Sequence, residues 1–420
     1  MTKFIINGGK PLSGKVKVSG AKNAALPIMA GVILASEPVT LHNVPQLDDV
    51  ETMAKMLESL SVKVERGTDG SFVFDASGDI SDEPPYNLVS SMRAGFFVMG
   101  PLLSRLRRAK IPLPGGCAIG ARPVDIHIKG FKAMGTEVSI EHGRAVAQAE
   151  RLIGSDIMLS FPSVGATENL IMAAVLAEGT TVIRNAAKEP EIVDLSNFLN
   201  LLGAKISGAG TSIVTIKGVK SLGGGTYSVM PDRIEAGTFV ILGAMAKGPV
   251  TVTNCNPGHI DALLETLTAM GATLEVGEDY VTVSSNGPLR AASASTMPYP
   301  GFATDLQAQL MAAMSIAEGT SIIVENIFEN RFMHVSELVK MGASINIDND
   351  SKKTAIIKGV PKLVGAPVSA TDLRAGAAVV LAGLVAEGET EVSEIQHIDR
   401  GYEHLAERMS MLGADIKRID

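Results

Sequence analysis

The chain has 420 residues, too many for one ordinary hydrophobic core, so two or three domains are expected. A formal net charge of -8, 4% aromatic residues and no tryptophan argue against a phosphate-backbone or base-stacking surface, so nucleic acid is not an expected partner. The chain is 46% hydrophobic, yet its longest apolar run, Ala375 to Ala386 between Arg374 and Glu387, falls well short of the roughly 20 residues that cross a bilayer and reads as a buried helix.

The N-terminus, Met1-Thr2-Lys3-Phe4-Ile5-Ile6-Asn7-Gly8, has no apolar signal core and no cleavage pattern. A cytoplasmic protein without a membrane partner is expected. Two cysteines, Cys117 and Cys255, fit a reducing compartment. No His/Cys cluster has metal-ligand spacing, and neither a Walker loop nor a strand-linked GxGxxG is present, so no metal and no cofactor are expected.

Self-similarity organises the rest. Ala-Met-Gly-Ala-Thr-Leu at 269 to 274 recurs in variant form at 133, 201, 340 and 411, with a worn copy, Ser-Leu-Ser-Val-Lys-Val, at 59. Taking Ser61, Gly135, Gly203, Gly271, Gly342 and Gly413 as markers, the intervals run from 68 to 74 residues, so six units of about 70 residues make the chain. Each unit reads as an apolar helix, a β-branched strand, a second helix ended by the marker, and two short strands, preceded by one more strand. The sixth unit stops at Asp420 without its last strand, and Ile5-Ile6-Asn7-Gly8-Gly9-Lys10-Pro11-Leu12-Ser13-Gly14 matches that missing strand. Residues 1 to about 20 are therefore expected to cross over and complete it, since an open strand edge is costly. The domains expected are residues 21–229, and residues 1–20 with 230–420. Each would hold three βαβαββ repeats, with a ligand cleft between pseudo-symmetric halves.

In chain order, the candidate functional residues begin with Lys22 and Asn23 at the start of the first helix and Arg93 at the start of the second unit's helix. The stretch from Pro114 to Asp125 then presents Cys117 in a frame of glycines and prolines that reads as a loop. Arg122 follows it, and Arg105, Arg107, Arg108 and Lys110 precede it. Those cations would favour a thiolate or draw in an anion. The alternative for a lone cysteine is a small buried hydrophobe. The corresponding helix starts downstream are Ser163-Val164-Gly165-Ala166-Thr167, Pro231-Asp232-Arg233, Ala303-Thr304-Asp305 and Thr371-Asp372-Leu373-Arg374. A ring of such N-termini makes an anion receptor, to which Lys22, Arg93 and Arg374 add charge. Asp232, Asp305 and Asp372 could instead be helix caps, but Asp305 has Thr304 beside it as a cap candidate. Arg400 opens the last unit's second helix, with a surface ion pair to Asp399 or Glu403 as its alternative. Glu189 and Glu191 decorate another helix start.

These phrases carry a resemblance over essentially the whole chain. Ser19 to Pro27, the Cys117 loop, Ser163 to Thr167, Tyr299 to Gln307, Phe328 to His334 and His397 to Gly401 together resemble the family of UDP-N-acetylglucosamine enolpyruvyl transferases, which carry out the first committed step of bacterial peptidoglycan synthesis. The resemblance implies the inside-out α/β barrel fold. It also implies transfer of the enolpyruvyl group of phosphoenolpyruvate to the 3-hydroxyl of UDP-N-acetylglucosamine through a tetrahedral ketal, with release of phosphate and no cofactor. Asp305 would be the base for the hydroxyl, and Cys117 the acid for the methylene carbon and the target of fosfomycin. Lys22, Arg93, Arg122 and Arg400 would hold the anionic substrate, as Arg374 would from its helix start, with Asn23 near the reacting centre. Arg122, Pro123, Val124, Asp125 and Ile126, then Phe161, Pro162, Ser163 and Val164, with Ile327, match the family's nucleotide-holding segments. Phe161 departs from members that carry lysine there. A monomer or weak homo-oligomer is expected. The rival readings are a 5-enolpyruvylshikimate-3-phosphate synthase, which would lack the Cys117 loop, and a sugar-nucleotide sensor without catalysis.

Overall fold

The six repeat markers share one backbone conformation. Gly135, Gly203, Gly271, Gly342 and Gly413 have φ between 89° and 111°, and Ser61, the one non-glycine copy, has φ of 72°. A left-handed residue after a helix turns the chain back so that its amides reach the last carbonyls. At Gly203, its own N–H reaches Asn200 O at 3.0 Å and the next amide, of Ala204, reaches Leu199 O at 3.0 Å. The repeat is thus a repeated helix stop, which is why it survives in sequence.

The computed structural model describes residues 2–113, 124–246 and 248–419. These form two compact units, and the chain passes between them after Ser19 and after Met230.

In the unit built from residues 2–19 and 231–419, the helices Arg233–Met245, Gln307–Met314 and Leu373–Val385 pack on one another. Every residue from Ile234 to Met245, from Gln307 to Met314 and from Arg374 to Leu384 is buried. Helices apolar on all sides need cover on all sides, and three four-stranded sheets supply it. One orders Thr273–Val276, Tyr280–Ser284, Val250–Thr253 and Gly14–Lys17. The second orders Ser293–Ser295, Thr320–Val324, Thr354–Lys358 and Ser344–Ile347. The third orders Pro367–Ser369, Glu389–Ser393, Lys3–Asn7 and Asp415–Ile419. Lys3–Asn7 lies antiparallel between its neighbours, with Ile5 opposite Glu391 and Lys417, so the N-terminal strand does complete the last repeat.

The other unit has the same inside-out plan, with the helices Lys22–Gly31, Met99–Leu106 and Val164–Ala174 at its centre. Two of its sheets have four strands and one has three.

Two expectations need correction. The first repeat's leading strand, Gly14–Lys17, does not stay with its repeat: it pairs parallel with Val250–Thr253 of the fourth, while Gly225–Ser228 pairs parallel with Val39–His42 of the first. Repeats one and four exchange leading strands. Equivalent asparagines hold the exchanged segments: Asn43 Nδ2 donates to Val229 O at 2.8 Å and Asn254 Nδ2 to Val18 O at 2.7 Å. Only Lys3–Asn7, not the whole of residues 1 to 20, belongs to the sixth repeat. The second correction concerns the second repeat, whose sheet of Arg108–Pro112, Arg144–Gln148 and Glu137–Glu141 has no leading strand among the described residues. The segment ahead of it carries Asp79, Asp82, Glu83 and the pair Pro84-Pro85, and proline cannot donate to a ladder.

Candidate active site

In the first of these units the site is built around Asp305, at the middle of the 3-10 turn Thr304–Leu306 that leads into Gln307–Met314. The turn has no side-chain cap. Thr304 is not the cap expected of it, because its hydroxyl donates instead to Glu325 Oε2 at 3.0 Å. Asp305 Oδ1 accepts from Arg331 Nη2 at 2.6 Å and Oδ2 from Arg374 Nη2 at 3.0 Å. Both arginine side chains are buried, at 4% and 5% exposure, while Asp305 keeps 26%, so the carboxylate is the member of the trio that solvent reaches.

Arg374 also lies over the Tyr402 ring, 5.5 Å from its centroid. Burial opposes its charge, but Asp305, Tyr402 and Asp232 outweigh burial and raise its pKa above the usual value. The Tyr402 hydroxyl meets Thr238 Oγ1 at 2.9 Å and accepts from Gln309 Nε2 at 3.0 Å, and the same amide donates to Asp305 O at 2.9 Å. Both faces of Asp305, carboxylate and carbonyl, are therefore held.

Asp232 and Asp372 are caps. Asp232 Oδ1 accepts from the amides of Ile234 and Glu235, and Asp372 Oδ1 from those of Arg374 and Ala375. Two amides at the start of each of these helices are thereby satisfied from within. Arg400 follows the short helix Gln396–Asp399. Nearby, Asp399 pairs with Arg418 at 2.9 Å and Glu403 with Arg408 at 3.1 Å. Ile327 is half-buried, and its amide donates to Glu325 Oε1 at 2.8 Å.

In the other unit, Lys22 and Asn23 open the Lys22–Gly31 helix, which lacks a side-chain cap. Lys22 Nζ lies 3.3 Å from Asp49 Oδ2, with only 12% of the lysine side chain exposed. Arg93 opens the turn Arg93–Val98, again without a cap. Ser163 caps the Val164–Ala174 helix by accepting from Ala166 N at 3.3 Å. Phe161 is 43% exposed and Pro162 half-buried beside it. Val124 stands at the N-terminal boundary of the helix Asp125–Ala133, with Asp125 exposed and Ile126 half-buried in its first turn.

A buried pair the sequence did not single out ties three of these helix starts together. His127 Nδ1 and Asn169 Nδ2 are 3.2 Å apart, Asn169 Nδ2 also donates to Phe96 O at 2.9 Å, and Asn169 Oδ1 accepts from Gly100 N at 2.6 Å. The Phe96 ring meets the His127 ring edge to face at 5.3 Å. Burial, helped by the Arg93 charge, pushes the His127 pKa down to about 3, so the ring is neutral and serves as a brace.

Cys117, Arg122 and Pro123 lie outside the described residues. Three of the four cations upstream of them have other work. Arg105 donates to Ile33 O, Ala35 O and Gly78 O, Arg107 to Ser104 O and Leu176 O, and Arg108 pairs with Asp82 at 3.0 Å. They bond carbonyls at helix ends and in loops, and one carboxylate.

Arg331 and Glu325 were also missed as site residues. Arg331 sits inside the phrase Phe328 to His334 that carries the resemblance, but nothing local says that its guanidinium points at residue 305.

One unit thus presents two uncapped cationic helix starts, and the other a carboxylate between two buried guanidiniums. The family model described as EPSP synthase (3-phosphoshikimate 1-carboxyvinyltransferase) matches residues 6–409, and the chain belongs to that enolpyruvyl transferase family. It is 54% identical over 421 residues to UDP-N-acetylglucosamine 1-carboxyvinyltransferase 2 of Carboxydothermus hydrogenoformans, covering 100% of each chain. It is 51% identical over 418 residues to UDP-N-acetylglucosamine 1-carboxyvinyltransferase 1 of Caldanaerobacter subterraneus, covering 99% of each. Among solved structures, the enolpyruvyl transferase NikO from Streptomyces tendae superposes with a TM-score of 0.89 at 27% identity, over 99% of this chain and 98% of that one. EPSP synthase from Acinetobacter baumannii shares the fold, with a TM-score of 0.78 at 17% identity over the full length of both.

Proposed function

We propose that this protein transfers the enolpyruvyl group of phosphoenolpyruvate to the 3-hydroxyl of UDP-N-acetylglucosamine and releases phosphate, the first committed step of peptidoglycan synthesis. The observation that carries this reading is identity of 50% or more over the full chain to curated relatives that bear the name of that activity.

In the addition, the sugar oxygen bonds to C2 of the enol ester as its proton leaves to a base, and the double-bond pair takes a proton at C3. In the elimination, the C3 proton is lost again, the double bond re-forms and the C2–phosphate bond breaks. Asp305 is the base in this scheme and Cys117 the acid at C3. Lys22, Arg93, Arg122 and Arg400 bind the phosphate and carboxylate and offset charge in the ketal. Arg374, assigned to the substrate from its place at a helix start, holds Asp305, so its substrate contact would be made from that position.

Asp305 is suited to its part because it keeps solvent access while two fixed guanidiniums aim it. Val124 to Ile126, Phe161 to Val164 and Ile327 hold the nucleotide. The protein works in the cytoplasm as a monomer or weak homo-oligomer, and fosfomycin alkylates Cys117.

A phosphate-release assay tests the reading. Phosphate should appear with phosphoenolpyruvate and UDP-N-acetylglucosamine and not with shikimate 3-phosphate. The reverse preference would favour the synthase reading, and no release with either would favour the sensor.

A further inference from the structure

Glu325, at the end of the Thr320–Val324 strand, is 1% exposed, and both its carboxylate oxygens are used. Oε1 accepts from Thr296 Oγ1 at 2.9 Å, Ile327 N at 2.8 Å and Phe328 N at 3.1 Å. Oε2 accepts from Thr304 Oγ1 at 3.0 Å. The two amides can only donate, so this side chain must accept, and an ionised carboxylate has lone pairs for all four bonds. Those bonds offset the cost of its burial.

The contacts continue on both sides toward one atom group. Thr304 is the residue before Asp305. Phe328 carries the Arg331 guanidinium over its ring, 5.4 Å from the centroid, and Arg331 donates to Asp305 at 2.6 Å. Glu325, Phe328, Arg331, Asp305 and Thr304 therefore close a ring of contacts around the carboxylate.

We propose that Glu325 is a positioning residue for Asp305, holding both the turn that bears it and the loop that brings Arg331 to it. The inference rests on Asp305 being the base of the proposed reaction. The turn Thr304–Leu306 has no cap of its own, so its orientation is set from outside by the Thr304–Glu325 bond. Without that bond the two arginines still attract the carboxylate and Gln309 still holds the Asp305 carbonyl, but the Thr304 end of the turn is released. A misplacement of about 1 Å at a reacting group lowers the rate by up to about 100-fold.

Thr304→Val removes the bond while keeping the side-chain shape. On the full-length protein, kcat for phosphate release is expected to fall about tenfold with KM for phosphoenolpyruvate within about twofold, and the acid limb of the kcat–pH profile to move. Glu325→Leu should lose more. Glu325→Gln should keep at least about a third of kcat, because its oxygen still accepts from the amides and the Thr304 hydroxyl can reverse to accept from its nitrogen. Thr304→Val with wild-type kcat and an unmoved profile overturns the proposal, and decides the matter alone if Glu325→Leu fails to fold. A loss in Glu325→Gln as deep as in Glu325→Leu also overturns it, since charge rather than placement would then be at stake. Asp305→Asn separates the two levels: wild-type kcat there removes the base itself and the inference with it, whereas an inactive Asp305→Asn beside a fully active Thr304→Val removes the ring alone.

Discussion

Arg331 Nη2 lies 2.6 Å from Asp305 Oδ1, and the arginine side chain is 4% exposed. A buried guanidinium that loses its carboxylate is left desolvated and unpaired, which typically costs about 3 to 5 kcal/mol. Asp305→Ala should therefore lower stability measurably by denaturant unfolding, in addition to lowering kcat by about 10² to 10⁴ as expected for loss of a base. Unchanged stability with lost activity would mean that Arg331 and Arg374 re-pair without it.

The proposed alkylation of Cys117 by fosfomycin can be tested independently of turnover. Intact-mass measurement after treatment should show one adduct on the wild type and none on Cys117→Ala; an unmodified wild type would count against the acid role. Cys255 should stay free of label, because it is buried, and burial raises its pKa to about 11.

Glu168 lies in the Val164–Ala174 helix with both carboxylate oxygens buried and without a hydrogen-bond partner among the described residues. Burial, reinforced by the charges of Glu191 and Glu189, raises its pKa well above the usual value. The folded state thus holds a proton that the unfolded chain releases above about pH 4.5, so this residue's contribution to stability declines as pH rises from there toward the folded pKa. Glu168→Gln keeps a neutral side chain at every pH. Its unfolding midpoint in denaturant should exceed that of the wild type at pH 8, with the gap closing at pH 4.5.

His334 has the opposite sign. Burial lowers its pKa to about 4, and its Nε2 lies 3.2 Å from Met311 Sδ. A depressed folded pKa gives stability that is fully present above the unfolded value, about 6.5, and is lost as pH falls toward 4. In His334→Gln, the ratio of unfolding midpoints at pH 7 and pH 4.5 should be flatter than in the wild type; an equally steep fall would exclude this histidine.

Ser61 occupies the left-handed marker position with φ of 72°, where the other five copies are glycine. A left-handed non-glycine residue costs roughly 1 to 2 kcal/mol, so Ser61→Gly should raise the thermal midpoint, net of the greater entropy glycine loses on folding. A lower midpoint would show that the Ser61 side chain contributes more than its strain.

Much of the architecture was legible because it repeats. Periodic helix stops, apolar helices without a polar face and the displaced N-terminal strand are local signals, and Lys3–Asn7 between Glu389–Ser393 and Asp415–Ile419 is where the missing edge required it. The exchange of Gly14–Lys17 and Gly225–Ser228 was not legible, because both strands are short and either sheet offers an equivalent edge. The site divided in the same way. Asp232 and Asp372 look like Asp305 in sequence, yet those two cap their own helices, whereas Asp305 accepts from two guanidiniums.

The amino-acid sequence by itself determined the repeat plan, the family and the residue types that the chemistry needs, since each is written in spacing or in a contiguous phrase. Only the tertiary structure decided which carboxylate stands between two buried arginines and which buried glutamate grips the turn behind it. Those choices rest on contacts between residues from 20 to 70 positions apart, and the length of chain between them carries no record of which side chains meet.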